Sequence, residues 1–261
     1  MYWDEDRGGA FERFLQSLDF EYTQRVLSYF RVGNTDALCE IGGGSGNLVW
    51  ALSRAGFQNL SLLEPNPHYI TGTGYLRSRS DAQTIRICND LAHWYASSEK
   101  YNVILTKNCV HHFKNISMTA ATIRQKIQPG GLWLMFREWY ADNPSELYHL
   151  LQTHPYCQKY GVYEYPFLTS HYVEATEIAG FKLIGIVPAG YANDCLGSYV
   201  QDLGSPATQR FTQLIDGWLQ RRAKLTVLAY QVELFLNRYL RGQFRRFTRP
   251  QAMIFRRVEV E

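Results

Sequence analysis

Apolar positions along the chain fall into two rhythms. Short runs at Ala37–Ile41, Asn59–Leu63, Thr84–Cys88, Tyr101–Thr106 and Leu132–Phe136 have the length and content of buried strands, and Phe181–Val187 and Ala252–Val258 add a sixth and a seventh. Helical spacing fills the intervals. Leu48, Val49, Leu52 and Ala55 recur after the first run, with Gly56 where a C-cap belongs, and a further helix is expected to be capped near Thr169 or Ser170. Strands alternating with helices predict an α/β fold, carried by residues 36–187 and completed by the last strand in 251–261.

Two segments stand outside that alternation. In residues 1–35, Phe11, Phe14, Leu15 and Leu18 share one helix face, and Tyr22, Val26, Leu27 and Phe30 continue it after Asp19. The pattern fits a helical lid over a cleft and fits equally a cover for one sheet edge. Residues 188–250 are too many for a structureless loop between neighbouring strands. Within them Leu225, Leu228, Val232, Phe235, Leu236 and Tyr239 predict one long amphipathic helix.

Composition narrows the class. With 261 residues, 46% of them hydrophobic, the chain can bury one large core with an extra subdomain. Its five cysteines include no C-x-x-C pair and no spacing that suggests a metal, so buried reduced thiols in a cytoplasmic protein are expected. The start, Met-Tyr-Trp-Asp-Glu-Asp-Arg, is acidic where a signal peptide is basic, and no apolar run of membrane-spanning length follows. Charge is uneven. Residues 205–250 hold nine Lys or Arg against Asp216 and Glu233, about +7, while the whole chain carries +3. That excess suits an anion-facing surface, or a solvated face pairing with an acidic remainder.

Candidate chemistry gathers at the strand ends. The first strand runs into Glu40-x-Gly42-x-Gly44-x-Gly46, a turn that brings backbone N–H groups against a ligand with no Cβ in the way. The dinucleotide fingerprint needs a third glycine where Asn47 stands, so a nucleoside without a pyrophosphate fits better. Glu64 closes the second strand, where a carboxylate can accept both ribose hydroxyls. After the third, Asn89 or Asp90 can take an adenine amino group and Leu91 can cover the ring. Lys107-Asn108-Cys109-Val110-His111-His112 follows the fourth strand, and Gln128-Pro129-Gly130-Gly131 precedes the fifth.

In this order the motifs resemble the class I S-adenosylmethionine-dependent methyltransferases. The resemblance implies a Rossmann-like seven-stranded sheet in order 3-2-1-4-5-7-6 with the last strand antiparallel, and S-adenosylmethionine held by Glu40, Gly42, Gly44, Gly46, Glu64, Asn89, Asp90, Leu91 and Asn108. It also implies methyl transfer to an acceptor oxygen or nitrogen. A hydroxyl acceptor needs a base, and histidine titrates nearest neutrality, so His112 or His111 is expected to serve, with Glu138 and Tyr140 positioning the acceptor. A cofactor-shaping role for the histidines, and a loop-anchoring one for Glu138, fit as well. Tyr148, Tyr156, Tyr160, Tyr163, Tyr165 and Phe167 crowd the next connection, as in an acceptor wall or in simple packing. A small-molecule acceptor, in some cases anionic, is expected. The basic segment keeps open a peptide, a carrier-bound substrate or RNA, although Asn108 precedes Cys109-Val110 and not the Pro-Pro-aromatic sequence that grips an extruded base.

Overall fold

The computed structural model describes residues 5–161, 164–191, 206–240 and 244–259. Its central sheet is formed by β1 (Ala37–Ile41), β2 (Asn59–Leu63), β3 (Arg86–Cys88), β4 (Tyr101–Lys107), β5 (Ile127–Phe136), β8 (Phe181–Val187) and β9 (Ala252–Arg257). A two-residue ladder joins β6 (Tyr140–Ala141) to β7 (Phe167–Leu168) apart from it. The sheet order is β3-β2-β1-β4-β5-β9-β8, with β9 antiparallel to both neighbours. This is the expected order, β8 and β9 being the sixth and seventh strands of the sequence.

Both faces of the sheet are covered, as parallel strands require. Leu38, Leu62, Leu105 and Leu134 point into one apolar cluster, and their neighbours Cys39, Leu63, Ile104 and Trp133 into the other. Four helices pack the first face: α1 (Arg7–Leu15), α2 (Leu18–Tyr29), α3 (Asn47–Arg54) and α10 (Pro206–Arg222). The second carries α6 (Ile116–Lys126), α9 (Thr169–Ile178) and α11 (Lys224–Tyr239). Short helices α4 (Gly74–Ser78), α5 (Leu91–Ala96), α7 (Pro144–Thr153) and α8 (Pro155–Tyr160) fill connections at the strand ends.

Several boundaries differ from expectation. β3 starts at Arg86, because the Ile85 N–H is taken by Ala82 in a turn. β5 starts at Ile127, which pairs with Tyr101 before the ladder shifts register around Gly130, whose φ is +72°. β9 stops at Arg257, since the Val258 N–H goes to the Gly180 carbonyl.

The long helix expected from Leu225 to Tyr239 is present as α11, and a second helix, α10, precedes it with a break at Ala223. There the buried Thr226 hydroxyl donates to the Ala223 carbonyl and accepts the Ile186 N–H at 2.9 Å, pinning the start of α11 to β8. Asp216 of α10 accepts from Arg25 at 2.6 Å and from the hydroxyls of Tyr29 and Tyr191. The described part of the insertion packs beside the edge strand β8, and none of its described residues lines either cavity at the site below. The described N-terminal helices pack on the sheet. Phe11 packs edge-on against Trp50 at 5.3 Å, and Asp19 pairs with Lys107 at 2.5 Å and Arg137 at 2.8 Å, tying α2 to the ends of β4 and β5.

Candidate functional site

The turn after β1 is built for close approach. Gly42, Gly44 and Gly46 have φ of +69°, +56° and +80°, a region that costs a side-chain-bearing residue about 1–2 kcal/mol. Gly42 and Gly44 line a cavity of about 390 Å³. Gly46 does not; it seats the start of α3, and a Cβ there would meet Leu76 at 2.5 Å.

Two acids hold this turn from opposite sides. Glu64 accepts the Gly44 N–H at 2.8 Å and the Asn66 N–H at 2.9 Å, and its carboxylate borders the cavity. One bond to each oxygen leaves each with a further lone pair for a ligand hydroxyl. Glu40 is buried behind the turn, where it accepts the Val49 N–H at 3.0 Å. It does not line the cavity, so its influence on a ligand passes through the backbone it supports.

Burial pushes Glu40 up to about 7, against the opposing pull of Lys107 and the Val49 N–H. The raised folded pKa means that the native state holds the proton better than the unfolded chain. Its contribution is fully present below the unfolded value near 4.5 and is lost as pH rises through about 7. The parent should lose thermal stability between about pH 5 and pH 8, and Glu40→Gln, neutral throughout, should lose less. Parallel melting curves for the two proteins would show that another group titrates.

At the end of β3 the polar residues make local hydrogen bonds. Asn89 donates to the Glu64 carbonyl at 2.5 Å and to Thr73 at 2.9 Å, and accepts from Arg77. Asp90 is the N-cap of α5, its Oδ1 accepting from Ala92 and His93. Neither lines the cavity. Leu91 does, joined by Trp94 and Tyr95 from α5 and by the apolar side chains of Phe113 and Ile123.

Beyond β4, Asn108 adopts a positive φ of +51° while its N–H bonds the Phe136 carbonyl at 2.8 Å. The following turn folds around Glu138, which is buried and accepts from the N–H groups of Cys109 and His111 at 3.2 Å each and from His111 Nδ1 at 3.0 Å. Glu138 thus faces the loop and not an acceptor. Tyr140 is also buried, edge-on to Tyr172 at 5.6 Å, and burial first, then the nearby Glu138 charge, holds its hydroxyl well above the usual tyrosine range. It lines neither cavity, so its expected contact with an acceptor is not made.

A second cavity of about 740 Å³ opens beside the first. Asn66, Thr71, Asn108 and His112 border both. The far wall carries His111, Trp139, His154, Tyr156, Lys159, Tyr160 and Glu164. Of the crowded aromatics Tyr156 and Tyr160 line it, whereas Tyr148, Tyr165 and Phe167 do not; Tyr163 lies outside the described residues. His154, which reads in sequence as a packing residue, lies tilted against Trp139 on this wall, the ring centres 4.7 Å apart. Lys159 and Glu164 carry no sequence signal, because only the fold brings the α8 region over the β4 turn.

Comparison with known proteins follows this geometry. No match is found among curated proteins. Among solved structures, a candidate sarcosine dimethylglycine methyltransferase of Galdieria sulphuraria superposes with a TM-score of 0.56 at 11% identity, over 92% of this chain and 85% of that one. The YcgJ protein of Bacillus subtilis gives 0.54 at 11% identity, over 93% and 99%. The O-methyltransferase of a trans-AT PKS multienzyme from Brevibacillus brevis, crystallised with S-adenosyl-L-homocysteine, gives 0.52 at 10% identity, over 91% and 72%. At such identities the likeness is one of fold. The sequence itself matches the description "Methyltransferase domain" over residues 11–184. With more than half of its length matched, and with the glycine turn and the strand-end cavities inside that span, the chain belongs to the methyltransferase domain family.

Proposed function

We propose that this methyltransferase uses S-adenosylmethionine to methylate a small molecule at oxygen or nitrogen, as a biosynthetic tailoring step. The observation that carries the reading is the pair of cavities that share Asn66, Thr71, Asn108 and His112, so that two ligands would meet at a common wall. The first cavity fits the cofactor. Glu64 has acceptor capacity for ribose hydroxyls, the apolar lining of Leu91, Trp94 and Phe113 suits an adenine, and the Gly42–Gly44 backbone leaves room for the aminoacyl part.

S-adenosylmethionine supplies an activated methyl group on a sulfonium. The chain's own work is to hold the partners in register and keep water out, where effective concentration supplies much of the acceleration. His112 is the titratable side chain common to both cavities, and it is the group for a hydroxyl proton. His111 and Glu138 act through it by fixing the turn.

The size and aromatic lining of the second cavity support a small, partly polar acceptor. A macromolecular acceptor docked on residues 205–250 has less support, since Arg249 pairs with Asp142 and with Glu146 at 2.8 Å, and Arg245 with Asp142 at 2.7 Å. Incubation with methyl-labelled S-adenosylmethionine and fractionated cell extract tests the choice. Label should appear in a low-molecular-mass product; label confined to protein or RNA would overturn it. Glu64→Ala should weaken cofactor binding roughly tenfold to a hundredfold, the scale of losing hydrogen bonds to a charged group. Unchanged affinity in a calorimetric titration would exclude Glu64 as a ligand.

A further inference from the structure

The turn after β4 brings two imidazoles towards a carboxylate with a gap between them. His111 Nε2 lies 3.8 Å from Glu164 Oε2, and His112 Nδ1 lies 3.7 Å from Glu164 Oε1. Both separations are too long for direct hydrogen bonds. One ligand atom from each of the three residues can be chosen so that all lie within 4.8 Å of one another.

The surroundings add an independent observation. His111 Nδ1 is 3.0 Å from the buried Glu138 carboxylate, an arrangement that fixes the ring and turns Nε2 towards Glu164. A carboxylate behind a histidine in this way is the usual support of a metal-binding imidazole. All three side chains border the second cavity, so an ion there would keep coordination positions open to a ligand.

We infer that His111, His112 and Glu164 bind a divalent transition ion of the zinc, cobalt or manganese class at the junction of the two cavities. Two nitrogens and one oxygen suit these ions better than magnesium or calcium, which prefer all-oxygen sites. The inference deepens the methyl-transfer reading and rests on it only for the purpose of the ion, which is Lewis acidity towards an acceptor oxygen. With the ion bound, His112 would be a ligand and not the base; the ion would lower the pKa of a coordinated hydroxyl so that its proton leaves to solvent water, and would hold the resulting oxyanion for attack on the methyl group.

The test uses the full chain, stripped with chelator and titrated with cobalt(II), followed by calorimetry and visible absorption, without cofactor present. The expected result is one saturable site with bands of a nitrogen and oxygen environment. Affinity should fall at least roughly tenfold to a hundredfold in Glu164→Gln and in His112→Ala, and stay unchanged in His154→Ala on the opposite side of the same cavity. Both affected residues are partly exposed, so the variants should fold. No binding at millimolar cobalt, or binding equal in all four proteins, would overturn the inference. S-adenosylmethionine titrated separately into the same metal-free protein reports on the methyltransferase reading, so the two can fail independently.

Discussion

Gly44→Val should bind S-adenosylmethionine at least roughly a hundredfold more weakly than the parent, a change of about 2.7 kcal/mol or more. Gly44 lines the cavity beside Glu64, and its N–H is one of the two that hold that carboxylate in place. A branched side chain would occupy ligand space. It would also strain a backbone with φ of +56°, moving the N–H from Glu64. The strain costs about 1–2 kcal/mol of stability, so the variant should still fold and melt a few degrees lower. Calorimetric titration alongside a melting curve checks both parts. A folded variant with the parent's affinity would mean that the cofactor does not lie over this turn.

Glu138→Ala should be the most destabilising single change near the site. The carboxylate is buried and satisfies three donors: two backbone N–H groups and the His111 ring. Removing it leaves buried donors unpaired at about 1–3 kcal/mol each, and a total near 4 kcal/mol should lower the melting temperature by roughly 10 °C. Glu138→Gln keeps the volume, but its amide group must face one of the donors, so it should recover only part of the loss. A drop in turnover in either variant, measured well below its melting temperature, would reflect a displaced His111–His112 turn. A melting temperature within a degree or so of the parent's would show that the turn is held by other contacts.

The fold was legible because its signals are local and repeated. Leu38 to Ile41 and Leu60 to Leu63 carry strand-length apolar runs, and the glycines at 42, 44 and 46 mark the one turn that must admit positive φ three times. The first cavity was legible in part: Gly42, Gly44, Glu64, Leu91 and Asn108 border it, while Glu40, Gly46, Asn89 and Asp90 do not. Sequence reveals that an acid ends a strand but seldom which way it points. For Glu40 strand parity held the answer, because Leu38 and Glu40 share the face that packs on α3 and Ile41 takes the opposite one.

The second cavity was harder to read. Its far wall comes from the connection around α7 and α8, where Tyr148, Tyr156 and Tyr160 look alike in sequence and only burial and helix phase decide which face the opening. Glu164 lies more than fifty residues from His111 and His112, and no spacing rule links them. In the insertion the helix from Leu225 to Tyr239 was legible, while α10 before it was not, because the break at Ala223 carries no glycine or proline to mark it. Among the described residues no helix is long and apolar enough to cross a membrane.

The most direct test of the central claim is a calorimetric titration of the purified parent chain with S-adenosyl-L-homocysteine, the methyl-transfer product. A cavity lined by Glu64, Leu91 and Trp94 predicts a single saturable site, competed by S-adenosylmethionine and weakened in Glu64→Ala. A folded parent that takes up neither compound, or that binds them equally well after Glu64→Ala and Gly44→Val, would contradict it.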